Sequence, residues 1–184
     1  MKLIGIVGQP GSGKDVAAKY IAKGFGFKHI SSGDVLRRYI NDNKLGGMDR
    51  KNLQHIVTKL RAQNGNGVLV KLILNEIKPE SNVIVSGLRN PDEITLINKA
   101  GGKIIAIDAD VENRYKRTRM RKREGDTVSL DEFIKLEQNE NQGGTWDIGK
   151  SISMADIKIT NNFGYKEFFN DLDKSMSQLG FSKQ

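Results

Sequence analysis

Residues 8–15 read GQPGSGKD, directly after the apolar run LIGIV at 3–7 and directly before KDVAAKYIAKG, whose apolar residues recur at helical spacing. The pattern is Gly, four residues, then Gly-Lys. Small residues in such a turn let backbone N–H groups close around an anion, and the start of the following helix adds positive partial charge. Lys14 is long enough to reach the terminal phosphates of a nucleotide. A Gly-rich turn with a solvent-facing lysine is the bland alternative, but the strand before and the helix after favour a phosphate cradle. Its expected members are Gly8, Gly11, Ser12, Gly13, Lys14, Asp15 and Val16.

The usual form of this loop ends in Ser or Thr, whose hydroxyl sits on a magnesium ion. Here the position holds Asp15. An acid in the first helical turn complements the helix dipole, and a carboxylate is also a hard oxygen ligand for magnesium. Such loops usually face a strand that ends in a metal-binding Asp. The strand expected there ends IVSGLR, so Ser86 occupies that place. The expected metal set is therefore Asp15 with a hydroxyl from Ser86 or Ser12.

Outward from the loop, strands and helices alternate. FKHI, NVIVSG, KIIAID and DIKIT read as further strands, and helices fall between them. MDRKNLQHIVTKLRAQNG reads as a helix capped by Asp49 and stopped near Gly65, and VLVKLILNEIK as another. Asn90 to Glu93 forms a capping box with Pro91 at the favoured first position; Ser129 and Glu132 form another. This alternation predicts a parallel sheet covered on both faces. The expectation is one three-layer α/β/α domain over 1–184, with about five strands and a helical insertion at roughly 41–80.

With 184 residues the chain can bury a real core. It has no cysteine, which excludes disulfides and Cys-based zinc sites. MKLIGIVGQP breaks at Gly and Pro too early for a signal peptide or a membrane span, so the expected location is cytoplasmic. The net charge of +8 favours anionic partners in general. His29 and His55 are isolated in sequence and suggest neither a metal site nor a nucleophile's partner.

After the second strand comes ISSGDVLR at 30–37. Together with the phosphate loop it resembles the nucleoside monophosphate kinases, above all the adenylate-kinase-like group. That resemblance implies a P-loop fold, ATP as phosphate donor, Mg2+, and acceptor contacts from Ser32 and Arg37. GLRNPDE at 87–93 implies Arg89 on the acceptor phosphate and Glu93 near the acceptor base, although Glu93 also belongs to the capping box. The Ser-x-x-Arg of Ser86 to Arg89 and the Gly-Lys-Asp loop ending are similar to phage-type deoxynucleoside monophosphate kinases. Counting from Asp108 at the end of the fourth strand, the resemblance implies Arg117 near the donor base and Arg121 on the phosphates. REGDTV is then a short lid, at about 122–130. The family's further arginines after the lid are missing, and Lys135 is the only basic candidate there.

MADIKITNNFG at 154–164 resembles the ending of dephospho-coenzyme A kinases and of archaeal P-loop kinase-like proteins. There the resemblance implies that Asn161 and Asn162 pass close to the donor adenine. Trp146 is expected either to anchor its loop or to close over a nucleotide. The implied activity is phosphoryl transfer from ATP to a (deoxy)nucleoside monophosphate by Lys14, Arg89, Arg117 and Arg121. The alternatives are dephospho-coenzyme A kinase activity and an ATP-hydrolysing, RNA-binding switch; small-molecule nucleotides are favoured over RNA as partners, and no membrane is expected.

Overall fold

A computed structural model of the chain describes residues 2–121, 128–140 and 146–184. Residues 122–127 of the expected lid and 143–145 of the Gly-rich loop lie outside that range. The strands are β1 (Lys2–Val7), β2 (Lys28–Ser31), β3 (Asn82–Leu88), β4 (Lys103–Asp108) and β5 (Ile157–Thr160). They form one parallel sheet in the order β2-β3-β1-β4-β5. The expected sheet is the one observed.

The strands are apolar on both faces because both are covered. On one face Ile4, Ile6, Ile84, Ile105 and Ile107 pack against α1 (Lys14–Phe25) and α9 (Tyr165–Gln178) through Ala17, Ile21, Phe168 and Leu172. On the other, Leu3, Val83, Val85 and Ile104 meet α5 (Pro91–Lys99) through Ile94 and Ile97, and α8 (Ile148–Ser153) through Ile148. Each fully buried Ile or Leu contributes about 1.5–3 kcal/mol by leaving water. A third cluster joins α2 (Ser32–Asp42), α3 (Arg50–Asn64) and α4 (Val68–Glu76) beside the sheet, through Leu36, Ile40, Val57, Leu60 and Leu69.

Asp49 caps α3 by accepting from the Asn52 amide at 3.0 Å. The Asn90–Glu93 box caps α5 as expected, and Ser129 and Glu132 exchange hydrogen bonds at the start of α7 (Leu130–Glu140). The short helix α8 was not expected. Asp147 caps it at Lys150 N, 2.9 Å away. No helix among the described residues is long and apolar enough to cross a membrane.

This topology places the site. The loop after β1 leads to α1 on one face, and the loop after the adjacent β3 leads to α5 on the other. A crevice therefore opens at the carboxyl ends of β1 and β3, where open α/β sheets bind ligands.

Candidate functional site: a phosphate loop facing an arginine-lined cavity

The loop between β1 and α1 has the conformation that its glycines require. Gly11 and Gly13 adopt φ of +78° and +100°. A Cβ on Gly11 would stand 2.3 Å from the Arg114 carbonyl oxygen, and one on Gly13 the same distance from Asn161 Nδ2. A Cβ on Gly8 would meet Ile107 O at 2.3 Å. No side chain caps α1, so its first turn presents backbone N–H groups to the crevice. Val16, the third residue of α1, is exposed.

Ser12 is fully buried within the loop.

Two long-range contacts brace the loop. Asn161 Nδ2 donates to Ser12 O at 2.8 Å. On α6 (Val111–Arg121), Arg117 Nη2 donates to Asn161 O at 2.8 Å, and its Nη1 lies 3.5 Å from Gly11 O. Arg117 thus places two of its nitrogens against main-chain carbonyls at the loop. Asn162 Oδ1 accepts from the Asp110 amide at 2.7 Å, which fixes the turn after β5 against the start of α6.

In front of the loop lies a cavity of about 700 Å³. Lys14 and Asp15 border it from α1, Ser32 and Arg37 from α2, Arg89 from the end of β3, and Arg121 from α6. The guanidinium of Arg37 pairs with Asp34 at 2.9 Å, with both side chains more than half exposed. That of Arg89 lies 4.5 Å from the centre of the Trp146 ring, and Arg89 O accepts from Asp147 N at 2.9 Å. Trp146 is therefore a half-buried platform for Arg89 at the cavity wall, and joins none of the apolar cores. Lys135 is exposed and stands off the cavity, whereas Glu137 borders it and pairs with buried Arg114.

Two expected site residues make hydrogen bonds within the protein. Ser32 Oγ donates to Gly87 O at 2.9 Å, tying the start of α2 to the strand end that carries Arg89. Ser86 is 1% exposed and shares a 2.8 Å hydrogen bond with His29 Nε2. Its hydroxyl is hydrogen-bonded to the ring, and both residues border the cavity. His29 does have a hydroxyl beside it, contrary to its isolation in sequence. The β2–β3 register sets Ser31 opposite Ser86 and brings His29 onto the same face. Burial lowers the His29 pKa below its ordinary value, while Asp15 and Asp34 pull it back up.

Glu93 is the clearest correction. It is fully buried, and both carboxylate oxygens are engaged within the protein. Oε1 accepts from Arg61 Nη2 at 2.9 Å; Oε2 accepts from the Arg89 and Asn90 amides at 2.7 and 3.1 Å. Burial pushes its carboxyl pKa up, against the pull of Arg61 and the two amides. A base in the cavity finds no open carboxylate here.

Among the described residues no three His, Asp or Glu side chains cluster to hold a metal. Asp15 is exposed at the cavity edge beside Lys14. A single outward carboxylate suits magnesium, which keeps several waters and takes phosphate oxygens as ligands.

A protein-family model described as an AAA domain matches residues 7–135, most of the chain. The chain belongs to that AAA-domain family. Two archaeal relatives of this AAA-domain chain carry the name UPF0200 protein. The one from Methanococcus maripaludis is 33% identical over 184 residues, covering 97% of this chain and 98% of the relative. The one from Sulfurisphaera tokodaii is 32% identical over 181 residues, with the same coverage. Among solved structures, shikimate kinase from Bacteroides thetaiotaomicron superposes with a TM-score of 0.63 at 16% identity, covering 97% of this chain and 98% of that one. Dephospho-CoA kinase from Campylobacter jejuni superposes with a TM-score of 0.60 at 20% identity, with the same coverage. The AAA-domain chain thus has the P-loop kinase fold.

Proposed function

We propose that the chain is a magnesium- and ATP-dependent kinase that phosphorylates a (deoxy)nucleoside monophosphate and acts in the cytoplasm. The observation that carries this reading is one cavity bordered by Lys14 and Asp15 and also by Arg37 and Arg89. A donor phosphate cradle and an acceptor phosphate clamp face each other across it. Phosphoryl transfer needs positioning and charge neutralisation, with little covalent work for the protein.

In this reading Lys14 and the N–H groups from Gly11 to Val16 hold the donor's terminal phosphates. Arg37 and Arg89 hold the acceptor phosphate, Ser32 sets the position of Arg89 through Gly87, and Arg121 approaches the transferring group from α6. Arg117 fixes the loop at the donor end. Asp15 would hold Mg2+, which would supply charge neutralisation at the phosphates. The acceptor phosphate oxygen is already ionised, so no general base is required. Residues 41–80 act as the acceptor-binding insertion, and about 122–130 as the lid.

The experiment is a coupled ADP-release screen of nucleoside and deoxynucleoside monophosphates, with dephospho-coenzyme A as a further acceptor. The expected result is release that depends on a monophosphate. Release only with dephospho-coenzyme A, or acceptor-independent ATP hydrolysis stimulated by RNA, contradicts it.

A further inference from the structure

A hydroxyl inside a helix has a local outlet in the carbonyl oxygen four residues back. Thr95, Ser151, Ser175 and Ser177 all take it, at 3.0, 2.7, 2.7 and 3.0 Å. Thr118 on α6 does not. It is 4% exposed, and its Oγ1 is buried without a hydrogen-bond partner among the described residues. A buried donor left unpaired costs stability. The fold therefore gains nothing from this hydroxyl, and the transfer chemistry above does not use it.

Two observations place it. Thr118 Oγ1 lies 2.8 Å from where a Cβ on Gly11 would stand, so the hydroxyl is turned to the phosphate loop. Thr118 also borders the cavity in front of that loop, as Lys14 and Arg121 do. Arg114, Thr118 and Arg121 are four and three residues apart and share one face of α6. The same face sets the Arg114 carbonyl against Gly11. Helix α6 thus brings an unpaired hydroxyl to the seam between the loop and the cavity.

Resting on the reading of the loop as an ATP site, we propose that Thr118 is a donor-phosphate ligand, whose Oγ1 donates to a phosphate oxygen of the bound nucleotide. A hydroxyl carries one proton to give, and its bond to an anionic oxygen is stronger than one between neutral groups. The Thr118 hydroxyl has no protein bond to give up first, so the new one counts toward affinity in full. It adds a neutral donor from α6 to Lys14 and the loop N–H groups.

The test is Thr118→Val, which keeps the branched shape and removes the hydroxyl. ATP binding and the binding of inorganic tripolyphosphate are titrated, and the melting temperature is measured without nucleotide. The melting temperature should hold or rise, because an unpaired buried donor is gone. Affinity for both ATP and tripolyphosphate should fall by roughly 10- to 150-fold. Thr118→Ser should show the opposite pattern: it keeps the hydroxyl and most of the ATP affinity, and loses stability with the buried methyl. A lowered melting temperature in Thr118→Val means that the hydroxyl is already bonded in the free protein, and overturns the inference. Unchanged ATP affinity overturns it too, as does a loss for ATP with none for tripolyphosphate, which puts the contact on the sugar or base. If wild type binds no ATP, the reading of the loop itself fails and this inference falls with it.

Discussion

Asn161 Nδ2 donates to the carbonyl oxygen of Ser12 at 2.8 Å, across 149 positions of sequence. The Asn161 amide donates to Asp108 O at 2.7 Å, and its carbonyl accepts from Arg117. One residue after β5 therefore ties the phosphate loop to the end of β4 and to α6. Replacing it by Ala leaves the Ser12 carbonyl without its donor, at a cost of about 1–3 kcal/mol. Asn161→Ala is expected to lower the melting temperature and weaken ATP binding, with acceptor KM unchanged. Thermal denaturation and ATP titration check this; unaltered ATP affinity contradicts it.

Gly13 should be intolerant for two separable reasons. An L-residue at its φ of +100° costs about 1–2 kcal/mol, and a Cβ there stands 2.3 Å from Asn161 Nδ2. Gly13→Ala is expected to abolish ATP binding in a folded protein. Adding Asn161→Ala relieves the collision but not the backbone strain, so the two substitutions should be non-additive in stability. Simple additivity in denaturant unfolding excludes the collision as a cause.

Asp15→Ala tests the metal assignment. Loss of a carboxylate that orders the magnesium shell should raise the Mg2+ concentration needed for half-maximal turnover by roughly 10- to 100-fold. A magnesium titration of ADP release measures it. An unchanged requirement leaves Asp15 as a helix-start residue only.

Asp156 gives the fold an acid-sensitive joint. Its carboxylate accepts from the Ile104 amide at 2.8 Å and from Lys103 Nζ at 3.0 Å, joining β4 to the turn before β5. Burial alone pushes its pKa up, but the amide and the ammonium outweigh burial and hold it below its ordinary 3.8. A depressed folded pKa gives stability that is present above the unfolded value and lost as pH falls through the folded one. Asp156→Asn should therefore destabilise at pH 7 by about 1 kcal/mol, a figure reduced because the pair is partly screened by solvent. The difference from wild type should narrow as pH falls from the unfolded value through the lower folded one. Urea unfolding at a series of pH values from 7 downward checks it, and a gap that does not narrow on acidification contradicts it.

The sheet was legible because its strands are short, continuous apolar runs bounded by glycine and polar turns, as in LIGIV and NVIVSG. The phosphate loop was legible because its chemistry is local: the glycines, Lys14 and the helix start are contiguous. The caps at Asp49, Asn90 and Ser129 were legible for the same reason. What stayed hidden depends on distance along the chain. Parallel register brings His29 to Ser86 across 57 positions, and packing of the insertion brings Arg61 to Glu93 across 32. Glu93 read both as a capping residue and as a base contact, and only the fold could show that burial leaves room for the first alone. Arg117 carries the right charge at the right spacing, but its contact with the turn after β5 spans 44 positions and was not legible. Helix α8 escaped because it is six residues long and holds a glycine; Asp147 at its cap was the available signal.

Arg37→Ala bears most directly on the central claim, that a donor and an acceptor phosphate meet in this cavity. Its pairing with Asp34 is exposed and contributes little to stability, so the variant should fold. Removing one charge-assisted contact to a phosphate costs about 1.5–3 kcal/mol, or roughly 10- to 150-fold in the acceptor's kcat/KM. ATP affinity should hardly move, because the proposed donor site is Lys14 and the α1 N-terminus. The measurement is monophosphate-dependent ADP release together with ATP binding, wild type against Arg37→Ala. The account predicts a loss confined to the acceptor; an equal loss of ATP affinity, or wild-type ADP release indifferent to every monophosphate, contradicts it.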